Sequence, residues 1–322
     1  MRNPFQLGVQ IVRTLSKEGI APAIRLILLW LICLPFVIKR KQIEHSLTSI
    51  EYKTINESKM KLDPADKGIS CDLLINGIRE PYLTNWIQTH THNTDVVIDI
   101  GANIGYYTLQ LAQRAKLVYA IEPVPENFER LYHHIHFNKY HNVIPINAAI
   151  GRRSGEEQIY ISPSSNLSSM KPASGAKYIK AIPVKVWSLD DVIYHNDYDV
   201  VPTMIRMDVE GYETEIIRGA KELLKAKTPL TIVMELHSML IPYVDYMTML
   251  EILSNNGFKV SAAFKETSPL LYQSSIGKTL YDMVQGTSGI KPGYNKVTYQ
   301  DLLYKPQYRE QMNALQVIFS NI

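Results

Sequence analysis

The run Val96-Val-Ile-Asp-Ile-Gly-Ala-Asn-Ile-Gly-Tyr-Tyr-Thr108 decides the fold. Its apolar start, Val96 to Ile100, is short and ends at Gly101, the pattern of a strand buried on both faces. A helical stretch from Tyr106 to Gln113 follows, with Leu109, Leu111 and Ala112 apolar. Downstream, Leu117–Ile121 reads as a second strand, and Pro125 opens a helix running to Phe137. Val143–Ile150 reads as a third strand, which Pro145 places at a sheet edge. Glu157–Ile161 and Ile182–Trp187 are extra extended segments around a Ser-rich loop. The strand–helix rhythm returns with Thr203–Met207, a helix from Glu213 to Lys225, Leu230–Met234, a helix around Tyr246–Ser254, Phe258–Ala262 and a last strand at Leu315–Phe319. Such alternation gives an α/β sheet covered by helices on both faces, whose ligands bind beyond the carboxyl ends of the strands.

The rest of the chain bounds this reading. Of 322 residues, 46% are hydrophobic and 20% charged, which excludes a disordered or collagen-like protein. Two cysteines, Cys33 and Cys71, are too few for a disulfide framework. The net charge of +3 alone points to no nucleic-acid partner, but its distribution is uneven. Residues 1–41 carry seven basic side chains against Glu18, and the remainder is mildly acidic. This basic arm holds the apolar run Leu26–Ile38, shorter than the roughly 17–20 residues of a membrane span and interrupted by Pro35. Lys39-Arg40-Lys41 follows it in place of a cleavage site. The arm is expected to lie in an anionic membrane surface; a helix packed on the body or on a partner subunit is the alternative. Three regions result: the arm (1–41), a lead-in segment (42–93), and a main domain (94–322) with a Tyr-rich insertion at 265–313.

The candidate functional residues stand where strands end. At the first corner, Gly101 lets the chain turn sharply and lets a ligand approach the backbone, and the turn feeds a helix N-terminus. At the second, Glu122 lies 21 residues beyond Gly101, where an acid accepts hydrogen bonds from a ribose diol. The dinucleotide fingerprint G-x-G-x-x-G is absent, because position 103 is Asn and the glycines are spaced G-x-x-x-G. Asp99 beside this corner would repel a pyrophosphate and attract a cationic amino-acid group, which favours S-adenosylmethionine over a nicotinamide cofactor. A third corner places Asp208, Glu210 and Glu213 together; a fourth carries Glu235 and His237. Carboxylates this dense raise one another's pKa if they share a dry site. His133, His134, His136 and His141 lack metal-ligand spacing and read as a solvated face, so of the histidines His237 alone is a catalytic candidate.

Together these corners resemble the FkbM family of S-adenosylmethionine-dependent methyltransferases. The resemblance rests on Val97–Thr108, Glu122-Pro123, Trp187-Ser-Leu-Asp-Asp191, Asp208–Ala220 and Glu235, with Met60–Asp66 and Arg79-Glu80 similar to the family's lead-in. It covers about residues 55–265. Arg206 stands where the family often has lysine, and the arm and the Tyr-rich tail fall outside the likeness. The resemblance implies a class I methyltransferase, Rossmann-like sheet of seven strands, the last antiparallel. It further implies that Asp99, Gly101, Ala102, Asn103 and Gly105 hold the methionine portion, that Glu122 and Pro123 border the ribose, and that Asn147 and Ala148 lie near the adenine. The implied acceptor is a hydroxyl, often on a sugar or glycan.

Methyl transfer to a hydroxyl is an in-line displacement that benefits from a base within hydrogen-bond reach. Asp208 is expected to fill that role, with Glu210 or His237 as alternates. No metal-ligand set is assigned; a divalent cation held by Asp208, Glu210 and Glu235 stays open as an alternative. Two other function classes stay open, a membrane-attached binding or assembly protein without catalysis and an NAD-dependent oxidoreductase. The expected location is cytoplasmic, peripheral at the cytoplasmic face of the membrane, with a lipid-linked or membrane-proximal glycan as acceptor and no nucleic acid.

Overall fold

The computed structural model describes residues 49–66, 68–172, 177–195, 201–266, 293–295, 297–304 and 315–322, with scattered positions between 20 and 46. The main sheet is built from β3 (Val96–Ile100), β4 (Leu117–Ile121), β5 (Val143–Ile146), β9 (Met204–Met207), β10 (Thr231–Leu236), β11 (Lys259–Lys265), β12 (Gly293–Asn295) and β13 (Leu315–Ser320). Their order is β12-β11-β13-β10-β9-β3-β4-β5. Strands β3, β4, β5, β9 and β10 pair in parallel, whereas β13 runs antiparallel to both β10 and β11. The seven strands from β5 to β11 are the class I methyltransferase sheet with its last strand reversed; β12 adds a short antiparallel edge. Strand order reverses at β3, whose neighbours are β4 and β9, and a crevice opens there beyond the strand ends.

Local chemistry explains several boundaries. Helices α1 (Ile69–Asn76), α2 (Pro81–His90), α3 (Tyr106–Ala112) and α4 (Pro125–Phe137) cover one face of the sheet with the hairpin β1 (Glu51–Ile55) and β2 (Ser58–Leu62). Proline opens α2 and α4, where a missing N–H is harmless. Gly77, left-handed at φ 70°, ends α1 by donating its N–H to the Leu73 carbonyl. On the other face pack α5 (Glu213–Arg218), α6 (Lys221–Lys225), α7 (Tyr243–Asn255) and α8 (Tyr299–Tyr304).

The structure revises several sequence expectations. The stretch 143–150 is two strands: β5 ends at Ile146, at the sheet edge that Pro145 requires, and β6 (Ala149–Gly151) joins a second sheet with β7 (Gly155–Ile161) and β8 (Lys180–Ser188), ordered β6-β8-β7. The helix read from Glu213 to Lys225 is interrupted at Gly219, where a side chain would meet the Gly151 carbonyl oxygen at 2.1 Å. The lead-in is part of the core, because Leu62, Leu73, Leu83 and Ile87 are fully buried there. The Tyr-rich stretch 265–313 lies largely outside the described residues. So does most of the apolar run 26–38; the described positions 20, 24, 27, 31, 34 and 38 are helical, and Ile20, Ile24, Ile27, Leu31 and Ile38 are exposed. Among the described residues no helix is long and apolar enough to cross a membrane.

One histidine of α4 departs from the solvated reading. His134 is buried; its Nδ1 donates to the Ile104 carbonyl at 2.7 Å and its Nε2 accepts from the Lys61 amide at 2.9 Å. Burial lowers its pKa and keeps the neutral ring that this pairing needs. It pins the β2 hairpin strand to the turn after Asn103, beside the crevice. His134→Ala leaves the Lys61 amide without this partner and is expected to cost about 2–3 kcal/mol in urea unfolding. His141→Ala, at an exposed position, is expected to stay within about 0.5 kcal/mol.

Candidate active site

The crevice at the β3–β9 switch point is a cleft of about 810 Å³ including its open mouth. Its floor is the Gly101-Ala102-Asn103 turn, its inner wall Glu122, Pro123 and Val124, and its apolar end Ala148 and Ile150. Asp208 and Glu210 border the opposite side. Gly101 has φ 75°, and a Cβ there would meet the Asp208 carbonyl oxygen at 2.1 Å. The positive φ is the sharp turn expected of this glycine, and the close approach of two strand ends is a further reason for it. Asn103 takes a left-handed φ of 50°, which its short amide tolerates. Its backbone N–H donates to Glu122 Oε2 at 2.8 Å, and its side chain donates to the Ser165 carbonyl at 2.9 Å, tying a short turn (Ser165–Leu167) across the cleft.

Glu122 is the buried carboxylate of this wall. It accepts from the Asn103 and Val124 amides at 2.8 and 2.9 Å. Burial raises its pKa to about 7 despite these bonds. Asn147, expected near an adenine, is exposed and instead braces the corner, donating to the Glu122 carbonyl at 2.8 Å. Gly105, at φ 96°, begins α3 beneath Leu131 rather than bordering the cleft.

Asp99 is also placed differently from the expectation. It is completely buried, accepting from Thr108 Oγ1 at 2.6 Å and from Arg206 Nη1 at 3.3 Å. The charge expected to attract a cationic ligand is therefore already paired within the protein. Register explains the pairing: Asp99 and Arg206 are directly opposite on β3 and β9. Arg206 also donates to the Gly101 carbonyl at 3.2 Å and to Asp208 at 2.9 Å, and stacks on Tyr107 at 4.5 Å. Burial would raise the Asp208 pKa, but Arg206, His237 and Arg79 outweigh it and hold the carboxyl below its usual range.

His237, just after β10, joins the third and fourth corners as the sequence suggested. Its Nδ1 is 2.6 Å from Glu213 Oε1, and its Nε2 faces Glu210 at 3.4 Å, Glu235 at 3.8 Å and Asp208 at 4.0 Å. Burial alone would lower the imidazole pKa; the Glu213 hydrogen bond and the surrounding carboxylates raise it well above the ordinary value. Burial likewise raises Glu235 far up and Glu210 to about 7, with Asp208 adding to both and His237 opposing. Two residues beside the site, Arg79 and Glu80, enter the sequence reading only as part of the lead-in. Arg79 borders the cleft and pairs with Glu80 at 2.9 Å and Asp72 at 3.4 Å, while Glu80 accepts from Tyr107 Oη at 2.6 Å. The signal available was a charged pair between the Gly77 turn and the Pro81 helix start.

A sequence profile described as "Methyltransferase FkbM domain" matches residues 99–260, half of the chain and every one of these corners. The chain belongs to the FkbM methyltransferase family. It is 28% identical over 145 residues to the hexuronic acid methyltransferase AglP of Haloferax volcanii, covering 45% of this chain and 56% of that one. A stretch of 58 residues is 47% identical to the tRNA(Phe) (4-demethylwyosine(37)-C(7)) aminocarboxypropyltransferase of Methanocaldococcus jannaschii, covering 17% of this chain and 23% of that one. The chain thus spans about half the length, or less, of these curated relatives. Among solved structures, M. jannaschii TYW2 in complex with AdoMet aligns over 85% of this chain and 87% of its own at 18% identity, with a TM-score of 0.42.

With a pKa of about 7, Glu122 is mostly ionised at pH 8 and mostly protonated at pH 6. If the ionised form receives a ribose diol, affinity for S-adenosylmethionine falls as pH falls, by about ten-fold between pH 8 and pH 6. Calorimetry across that range checks it, and Glu122→Gln is expected to bind weakly at every pH with the slope removed.

Proposed function

We propose that this FkbM-family protein is an S-adenosylmethionine-dependent O-methyltransferase whose acceptor is a hydroxyl of a sugar or glycan. The observation that carries the reading is the convergence, in one cleft, of the buried Glu122 carboxylate with a second set of carboxylates beyond the β3–β9 seam. The donor set fits the cofactor. Glu122 can receive ribose hydroxyls, Pro123, Ala148 and Ile150 offer an apolar slot for a base, and the Gly101–Asn103 backbone borders the remainder. The carboxylates of Asp208 and Glu210 at the other end oppose a dinucleotide's pyrophosphate, which weighs against the oxidoreductase alternative. When bound, S-adenosylmethionine supplies an activated methyl group.

The protein's own task is to position an acceptor hydroxyl and take its proton. Glu210 suits that task by position. Its carboxylate borders the cleft, and its ion-pair partner among the described residues is the His237 imidazole. Asp208 has one oxygen engaged by Arg206, and His237 has Nδ1 engaged by Glu213, so these two orient the site around Glu210. The hydroxyl proton passes to the Glu210 carboxylate as the oxygen becomes nucleophilic. The hexuronic acid named for the Haloferax relative supports a sugar acceptor.

The basic, apolar arm supports a location at an anionic membrane surface, because its exposed Ile20, Ile24, Ile27, Leu31 and Ile38 would there be withdrawn from water. Removal of residues 1–41 is then expected to abolish sedimentation with vesicles containing anionic lipid. Unchanged sedimentation removes the membrane reading.

Transfer of labelled methyl from S-adenosylmethionine to oligosaccharides bearing hexuronic acid or neutral sugars tests the activity, and incorporation on carbon-bound oxygen is the expected result. Glu210→Gln should lower kcat by about 10²–10⁴-fold while cofactor affinity stays within two-fold. Equal losses in both would remove Glu210 from the role of base.

A further inference from the structure

We infer that Asp208, Glu235 and His237 form a divalent-cation site beside the cleft, which Asp208 borders, oriented by Glu213 and suited to a manganese-like ion. One ligand atom from each of the three residues lies within 4.8 Å of the others. The Nε2 distances of 3.8 Å to Glu235 and 4.0 Å to Asp208 are close to the spacing of atoms that share an ion at about 2.0–2.3 Å.

The imidazole is what separates this cluster from an ordinary patch of acids. His237 has a side chain only 10% exposed, and its ring is aimed by a fully buried carboxylate, Glu213, whose Oε1 lies 2.6 Å from Nδ1. With Nδ1–H donated to Glu213, a cation binding here displaces the Nε2 proton that the surrounding carboxylates otherwise favour, and Nε2 then faces the ion. This is the arrangement by which proteins orient a metal-binding histidine, with the second nitrogen held by an acid. The outward nitrogen makes no hydrogen bond among the described residues. A second orphan lies opposite: Glu235 Oε2 is buried and has no hydrogen-bond partner. Buried polar atoms are normally satisfied, so a buried carboxylate oxygen with no hydrogen-bond partner, beside a ring nitrogen held only in long ion pairs, points to a cation that takes lone pairs from both.

Charge supports the same conclusion. Arg206 is shared between Asp99 and Asp208, and Arg79 between Asp72 and Glu80. Among the described residues, Glu210 and Glu235 have His237 as their ion-pair partner and no Lys or Arg. A dication would offset this excess. Two carboxylates with one imidazole mix hard oxygen and borderline nitrogen, a set that fits Mn²⁺ better than the all-oxygen preference of Mg²⁺. Three protein ligands leave coordination positions open toward the cleft. Resting on the methyltransferase reading above, the site would take an acceptor that offers two neighbouring oxygens, a vicinal diol or a hydroxy acid such as a uronate. It would bring an anionic acceptor up to an acidic mouth that otherwise repels it. Glu210, 3.4 Å from Nε2, then stands beside the coordinated hydroxyl.

The test uses the full chain, freed of metal with a chelator, and titrates Mn²⁺ alone. Free Mn²⁺ is read by its six-line electron paramagnetic resonance signal. The expected result is one saturable equivalent, with spin-echo modulation from a coordinated imidazole nitrogen in the wild type. Binding should be at least ten-fold weaker in His237→Ala and in Glu235→Gln, and about 10–100-fold weaker in Glu213→Gln, which acts through the ring. Absence of saturable binding by the wild type, or binding without nitrogen modulation, overturns the site, whether or not the variants fold. The first outcome would mean that the cluster is held by shared protons alone. Titration of the same samples with S-adenosylmethionine separates the two readings. Mn²⁺ uptake without cofactor binding keeps the site and removes the methyltransferase reading; cofactor binding without Mn²⁺ uptake does the reverse.

Discussion

The ion pair that the site depends on is the one Arg206 makes across the β3–β9 seam. A guanidinium only 4% exposed joins Asp99, which is fully buried, to Asp208, and also donates to the Gly101 carbonyl. Taking three charges out of water is costly, and their attraction offsets that cost only because geometry is fixed by strand register. Removing Arg206 would leave two carboxylates at the seam without their cation, a loss of about 3–5 kcal/mol. The same triad decides electrostatics in the cleft. It makes Asp99 unavailable to a ligand and leaves Asp208 ionised, facing the mouth.

The seam also explains the glycine. The close approach of the Asp208 carbonyl to Gly101 is what lets the Arg206 guanidinium reach both strand ends at once. The turn after β3 is therefore shaped by its neighbour strand, and the ligand cleft is a consequence of that packing. Asn103 extends the arrangement, since its strained turn hands a backbone N–H to Glu122 and an amide to the Ser165 turn. Packing, turn and cleft wall are thus consecutive links of one chain of contacts.

This dependence accounts for which features were legible in the sequence. The strands β3, β4, β9 and β10 were readable because parallel strands buried on both faces appear as short apolar runs, and the antiparallel β13, buried along its whole length, reads the same way. Asp208, Glu210 and His237 were readable because strand ends of an open sheet share a crevice, and the structure brings them together around one imidazole. Asp99 and Asn147 have partners that sequence does not show, because it gives position along a strand but not which group already engages a side chain. Asp99 is answered by a residue 107 positions away in register, and Asn147 by the backbone of its own corner. His134 went unrecognised since its partners, Ile104 and Lys61, lie in separate elements. The break at Gly219 was equally hidden, because the carbonyl it accommodates comes from Gly151 in the other sheet.

The two acidic groupings of the cleft now differ in kind. Around Arg206, Asp99 is answered by a fixed cation and serves the fold, while Asp208 links the two groupings. Around His237 the acids are answered by a group that can be charged or neutral, and Glu213, fully buried behind it, fixes the ring without touching the cleft's mouth. An arrangement built only for stability would favour an apolar or fully paired cluster, because half-satisfied buried polar groups are worse than none. This fold keeps Glu235 Oε2 without a hydrogen-bond partner and the outward face of His237 in long ion pairs only, which sets the second grouping apart from the close pairing around Arg206.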